Sequence, residues 1–321
     1  MNLVMSPAGP FAGSISALGW VLCIGASVIF LGVMGLLAWA LARGGAKVGT
    51  VRWVIGGGLV FPLVVLTALF VSSSAIGGRL QPNGAPPGAL IVEVTGKMWW
   101  WEVRYRLGNL AGSAPGKVGE VVLANEIRIP VGRPVYLGLT TSDVIHSFWV
   151  PQLAGKIDMV PGRVNGLLLQ ADKPGVYRGQ CAEYCGEQHA KMAMHVVAME
   201  TTEFAEWLKR QSMPVRDPPS GNGDPALAAL QLRGRQAFVD SRCVSCHTVR
   251  GVATEARLGP DLTHVGSRLY LGAGVVRNDR QAMADWIAQT QLMKPGAHMP
   301  SFSHLGREDI DAISAYLSSL E

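Results

Sequence analysis

The sequence predicts a multidomain membrane protein: a two-helix transmembrane hairpin, then a β-sandwich or barrel, then a small all-α domain. Three observations carry this. Two long apolar runs fill the N-terminal part, short β-rich runs broken by Gly and Pro follow, and a helical last third carries Cys243-Val-Ser-Cys246-His247. The domain boundaries read 1–78 for the hairpin, 79–211 for the β domain, 212–225 for a linker and 226–321 for the helical domain.

No charged residue precedes Arg43, and the stretch from about Ile15 to Ala42 is long enough to cross a bilayer core at about 1.5 Å per helical residue. Val54 to Ile76 is a second such stretch. Both are too long for a signal peptide or a buried core helix, and the first lacks the charged leader of a signal. Arg43, Lys47 and Arg52 lie between the spans with no acidic residue, which puts this loop in the cytoplasm and both termini outside. Pro62 is tolerable inside a span where neighbouring helices satisfy the freed backbone, and Gly56-Gly57-Gly58 suits close packing against another helix.

After a Gly/Pro-rich segment, Arg79 to Gly88, come the runs Leu90 to Val94, Trp99 to Tyr105, Val121 to Val131, Val135 to Thr140 and Gly166 to Gln170. Gly-Arg-Pro at 132–134 and Lys-Pro-Gly at 173–175 punctuate them as turns. The net charge of +5 and a pI near 9.0 describe a mildly basic surface. No basic run or basic-aromatic stripe accompanies them, so nucleic acid is not a partner.

The five cysteines sort into Cys181 with Cys185, Cys243 with Cys246, and Cys23 alone in an apolar run. Both pairs have ligand-type spacing, so a disulfide framework is the weaker explanation. Cys181, Cys185, His189 and Met192 place two thiols, an imidazole and a thioether within twelve residues. Soft donors favour copper, and the thioether argues against the alternative of structural zinc. Gly186 and the preceding Pro-Gly turn make this segment a loop rather than a helix face. His146, in Thr-Ser-Asp-Val-Ile-His-Ser-Phe-Trp, is available as a further ligand from elsewhere in the fold, and two bridging sulfurs would allow two metal ions.

These residues, with Leu-Ala-Gly-Lys-Ile-Asp158 and the hairpin before them, resemble subunit II of the haem-copper cytochrome c oxidases. The resemblance implies a cupredoxin-like β-barrel or sandwich holding the dinuclear copper A centre. Its ligands would be His146, Cys181, the backbone carbonyl of Glu183, Cys185, His189 and Met192. By the same resemblance the Glu183 carboxylate faces a magnesium site shared with the catalytic subunit. Trp99, in Gly96-Lys-Met-Trp-Trp-Trp101, falls where the family takes electrons in, whereas Trp100 and Trp101 read as strand aromatics that pack or face a partner. Many relatives carry a glutamate three residues before the tryptophan that opens the second span; here that residue is Thr50.

Ser212 to Pro225 reads as a flexible, partly extended linker. Ala226 to Ser241 has helical periodicity and leads into Cys243-x-x-Cys246-His247, the attachment motif of c-type haem, with both thiols bonded to the porphyrin and His247 on the iron. A thioredoxin-type Cys-x-x-Cys would need a βαβ pattern that is absent from this sequence. The second axial ligand comes from His264, Met283, Met293, His298, Met299 or His304. Met299, in an irregular segment before Pro300, is preferred and His298 is the runner-up. The arrangement resembles class I cytochromes c, including Leu258-Gly-Pro260 as the loop supporting the proximal histidine and Glu308 to Leu320 as the C-terminal helix.

Together the resemblances imply subunit II of a respiratory cytochrome c oxidase with a fused cytochrome c domain. It would sit in a bacterial-type inner membrane with two passes, both redox domains on the periplasmic side. Electrons would pass from haem c through copper A to a catalytic subunit I that reduces oxygen to water and translocates protons; this chain itself would hold no oxygen-reducing site. Expected partners are subunit I, other oxidase subunits, membrane lipid, and soluble cytochrome c or a quinol–cytochrome c reductase upstream. A membrane-anchored copper-binding redox sensor or copper-delivery protein is the alternative, and it would need no haem.

Overall fold

The computed structural model describes residues 6–44, 49–80, 84–106, 120–215, 223–254 and 256–321. Lys47, part of the segment after Arg79, and the middle of the expected linker lie outside them. Two apolar helical stretches open the chain, α1 (Pro10–Arg43) and a second rod made of α2 (Thr50–Arg52), a π-helical stretch (Trp53–Val60) and α3 (Phe61–Leu80). Both are long and apolar enough to cross a membrane, and their apolar side chains are almost all exposed, as lipid-facing residues would be. The π-helical stretch covers the three glycines and ends just before Pro62. Phe61 N–H bonds five residues back to Gly56, so the backbone widens ahead of the ring that cannot donate.

The hairpin is tied to the β domain at its start, where the chain before α1 lies on the domain. Ala8 N–H donates to Gln152 (2.8 Å), and Asp172 N–H donates to Ala8 (2.8 Å).

The β domain is a sandwich of two five-stranded sheets. One runs in the order β3 (Glu120–Ala124), β2 (Trp100–Arg106), β1 (Leu90–Lys97), β5 (Val135–Thr141) and β8 (Asn165–Leu169). The other runs β4 (Glu126–Pro130), β10 (Ala193–Met199), β9 (Gly175–Cys181), β6 (His146–Trp149) and β7 (Ile157–Met159). Alternation along β1 turns Leu90, Val92 and Val94 inward to meet Leu137, Phe148 and Val196 in one core. The expected single run Val121 to Val131 is instead two strands in different sheets. Asn125 divides them with φ 62°, a left-handed conformation that asparagine tolerates better than most residues. Helix α4 (Thr201–Ser212), which the sequence reading passed over, closes the sandwich with Phe204, Trp207 and Leu208; Trp207 meets Tyr105 edge-on at 5.6 Å.

The C-terminal domain is a small helical unit: α5 (Pro225–Asp240), α6 (Arg280–Met293) and α7 (Arg307–Ser318), with a short hairpin β11 (Tyr270–Leu271) and β12 (Val276–Arg277). Asp224 caps α5 by accepting from Ala226 N–H at 2.8 Å, with Pro225 in the first turn. Helices α5 and α7 cross so closely that a Cβ at Gly234 would lie 1.9 Å from the Ala312 carbonyl. Phe238, Ile313, Tyr316 and Leu317 fill the core around that crossing.

The first residues expected to be flexible linker are held against the helical domain. Val215 N–H donates to the Arg250 carbonyl (3.1 Å), Arg250 donates to the Gln211 and Ser212 carbonyls, and His264 Nε2 donates to Met213 O (3.0 Å).

Candidate metal centre and haem-binding site

Strand β6 and the end of β9 are hydrogen-bonded neighbours, with Phe148 paired to Cys181, and this pairing brings His146 to the cysteine loop 35 residues later in sequence. Cys181 ends β9; the chain then turns through Gly186, with φ 109°, into a 3-10 turn at His189–Lys191, and β10 returns alongside. A loop is therefore what separates the two thiols, as the turn residues suggested.

The donors converge. Cys181 Sγ lies 3.7 Å from Cys185 Sγ and 3.8 Å from His146 Nδ1, and Cys185 Sγ lies 3.6 Å from His189 Nδ1 and 3.9 Å from Met192 Sδ. The Glu183 carbonyl is 3.2 Å from Cys181 Sγ, while the Glu183 side chain is exposed. His146, Cys181, Cys185 and Met192 are buried. Two thiols this close resist double ionisation. The hydrogen bond between the two thiols pulls the Cys181 pKa well down, against burial, and the same bond together with burial pushes Cys185 up. A cationic group between the sulfurs removes that conflict, so the donor set fits soft metal ions.

His146 is oriented by a residue the sequence reading left unassigned. Asp143 Oδ1 sits 2.8 Å from His146 Nε2, which fixes the proton there and leaves Nδ1 facing the sulfur. Burial lowers the His146 pKa, but Cys181 and Asp143 outweigh it and the net shift is upward. The other Asp143 oxygen accepts from Met98 N–H at 2.8 Å, joining the histidine to the Trp99 segment. The i, i+3 spacing Asp143–His146 was the available signal, but many loops carry such a pair.

Gly96 is part of the site for a steric reason. A Cβ there would stand 2.8 Å from His146 Cδ2 and 3.1 Å from Cγ. Gly96→Ala is expected to leave the sandwich folded but displace the ring, lowering metal retention by roughly tenfold or more, the scale on which a disturbed ligand orientation acts. Dialysis followed by metal analysis checks it; full retention would mean the ring has room to spare.

Trp99 Nε1 donates to the Cys185 carbonyl at 2.8 Å, and its ring packs 6.3 Å from that of His298 in the helical domain. Trp101 is wholly buried against His146 and Phe148, and Trp100 lies under Lys97 at 4.9 Å.

In the helical domain Cys243, Cys246 and His247 form a single tight turn after α5. His247 Nδ1 is 2.8 Å from the Pro260 carbonyl, which leaves Nε2 as the nitrogen able to coordinate. A Cβ at Gly259 would come within 2.5 Å of the imidazole. Burial lowers the His247 pKa, keeping the ring neutral and its lone pair free. The arrangement therefore fits an axial iron ligand. Among the other axial candidates, His264 is spent on Met213 O and Met283 is buried in the core beside Ser318 Oγ at 3.9 Å. Met299 is half-buried against that core, with its carbonyl accepting from Gln291 Nε2 at 2.7 Å, and His298 is turned toward Trp99.

A membrane-anchored redox protein, with a soft-donor metal centre on a β-sandwich and a c-type haem motif on an attached helical domain, is the class these features define. Residues 90–199 match the family "Cytochrome C oxidase subunit II, periplasmic domain", and residues 231–321 match "Cytochrome c". Cytochrome c oxidase subunit 2 of Alkalihalophilus pseudofirmus is 36% identical over 267 residues, covering 82% of this chain and 71% of the relative. The subunit 2 of Bacillus subtilis is 29% identical over 275 residues, covering 82% and 70%. Among solved structures, the periplasmic domain of subunit II of cytochrome oxidase (CoxB) of Bradyrhizobium japonicum is 32% identical and covers 39% of this chain and 95% of its own, with a TM-score of 0.34. The chain belongs to the cytochrome c oxidase subunit II family, in the form that carries a C-terminal cytochrome c domain. It is anchored by two apolar helices and is a component of an oxidoreductase complex with other oxidase subunits.

Proposed function

We propose that this chain relays single electrons to the oxygen-reducing subunit of a respiratory oxidase, from its own cytochrome domain through its β domain. When bound, haem c and a dinuclear copper A centre supply reversible one-electron chemistry. The observation that carries the reading is the convergence of both sulfurs of the Cys181–Met192 loop with His146, His189 and Met192, beside a tryptophan that touches the haem-motif domain.

Each residue has a role in that reading. Cys181, Cys185, His146, His189, Met192 and the Glu183 carbonyl would together hold the metal ions, with His146 Nδ1 and His189 Nδ1 as the ring nitrogens nearest the thiols. Asp143 holds the His146 proton on the nitrogen facing away from the sulfurs. The sandwich keeps these donors in one arrangement, so little has to move when charge changes. Cys243 and Cys246 would hold haem covalently and His247 and Met299 would ligate its iron, a thioether ligand favouring a higher potential than two imidazoles would give. Trp99 takes electrons in, linked to the copper loop through the Cys185 carbonyl. The exposed Glu183 carboxylate would be free to serve a magnesium site at the boundary with subunit I. Positive charge between the spans keeps that loop cytoplasmic and both redox domains outside. Thr50 stands where many relatives carry a glutamate, so this position offers no carboxylate for proton uptake.

Isolation of the complex from membranes tests the reading. Two coppers with a spectrum shared between them, one covalently held haem per chain and a copurifying large haem-bearing subunit are expected. A single-copper spectrum, or no catalytic subunit, overturns it.

A further inference from the structure

Lys294 closes α6 and is only 3% exposed, although it carries one of the longest charged side chains. Its Nζ donates to three carbonyls: Trp99 (2.7 Å), Lys191 (2.7 Å) and Gly272 (2.8 Å). An ammonium has three N–H groups, so all are used. Two of the acceptors belong to the β domain, one on the Trp99 segment and one on the copper loop beside Met192; the third belongs to the cytochrome domain's own hairpin turn. Burial, with Lys191 nearby, works against the charge and pushes the Lys294 pKa down, to about 7, while the three carbonyl acceptors favour the charged, three-donor form.

The surroundings repeat the same register. Lys191 Nζ returns a hydrogen bond to the Met293 carbonyl (2.7 Å). Ala193 N–H donates to Ala273 O (2.9 Å), Leu269 N–H donates to Glu126 Oε2 (2.9 Å), and His195 stacks on Tyr270 at 4.2 Å. Burial and the Arg178 charge hold His195 down at about 4, so it enters the stack neutral. These contacts would tolerate small slips. A buried ammonium saturated by three carbonyls from three segments would not, because any slip strands a charge or a carbonyl.

We propose that Lys294 is a positioning residue that locks the cytochrome domain in one register over Trp99 and the copper loop, so that the fused domain itself covers the face where electrons come in. This rests on the reading of Trp99 and the 181–192 loop given above. A soluble donor then reaches the haem and not Trp99.

The test uses the full chain in its membrane complex, comparing Lys294→Met and Lys294→Arg with the unmodified protein. Hydrogen exchange at the Ala193 and Leu269 amides, which donate across the interface, should be slow in the unmodified protein and at least about tenfold faster in the methionine variant. Amides of the strand interiors, such as Val92 and Val196, should be unchanged. Haem and copper spectra should also be unchanged, while copper reduction after rapid haem reduction slows by about tenfold or more. Arginine, with five donors, should restore part of both effects.

Fast exchange at Ala193 and Leu269 in the unmodified protein overturns the proposal even if the methionine variant fails to fold. So does a folded methionine variant with either unchanged exchange or unchanged transfer. Absence of the shared-copper spectrum in the unmodified complex would instead remove the relay reading, a separate outcome.

Discussion

Cys185→Ser is expected to abolish the two-copper centre. Cys185 Sγ lies within 3.9 Å of three other donors, Cys181 Sγ, His189 Nδ1 and Met192 Sδ. Serine is nearly isosteric but offers a hard oxygen that does not ionise at neutral pH, so it cannot bridge two soft ions. Copper per chain should fall from two to one or none, the shared-electron paramagnetic signal should vanish, and transfer to the catalytic subunit should drop by roughly a hundredfold or more, beyond the loss typical of an outer ligand partner. Cys185 is 3% exposed and faces the β core, yet the substitution removes little volume, so cooperative unfolding of the sandwich should persist. Metal analysis and paramagnetic resonance on the same sample decide the matter. Two coppers with an unaltered shared signal would remove Cys185 from the site.

Met299→Ala is expected to have the largest effect in the cytochrome domain. The oxidised domain should lose its thioether-to-ferric charge-transfer band, and the ferrous form should gain affinity for carbon monoxide at the vacated position. Its potential should fall by about 60 mV or more, a decade in the one-electron equilibrium, because the soft thioether favours ferrous iron. His247 stays anchored by Pro260 O, so haem attachment should survive. Persistence of the band would reject Met299 as the ligand. His298 is a poor substitute while its ring lies against Trp99.

Cys185 was legible as a target before any fold was known, and the reason is chemical; Met299 stood among six candidates and was preferred through the resemblance to class I cytochromes c. Cys181, Cys185, His189 and Met192 are close in sequence, as are Cys243, Cys246 and His247, so their spacing alone encodes a donor set. The two spans were equally plain, since an uncharged run of that length has few other uses. His146 was recoverable as an available further ligand and, through the resemblance, as a copper ligand, but its approach was not, because it reaches the loop through the pairing of β6 with β9. The split of Val121 to Val131 at Asn125 escaped because both halves have the same composition and only the change of sheet separates them. Helix α4 escaped because its start lacks a capping hydrogen bond from Glu200, although Glu203 in the first turn and Lys209 and Arg210 in the last are signals that could have found it.

What local sequence determined, then, was the chemistry of each centre and the order of the modules: soft donors, a haem motif and apolar spans are each written in contiguous residues. Only the tertiary structure decided how the centres are oriented and joined. Asp143 on His146, the room left by Gly96 and Gly259, Trp99 between the Cys185 carbonyl and His298, and Lys294 across 195 residues to Trp99 all depend on segments far apart in the chain. Such contacts leave no periodic trace in sequence, because a carbonyl acceptor or the absence of a Cβ becomes specific only once another segment packs against it.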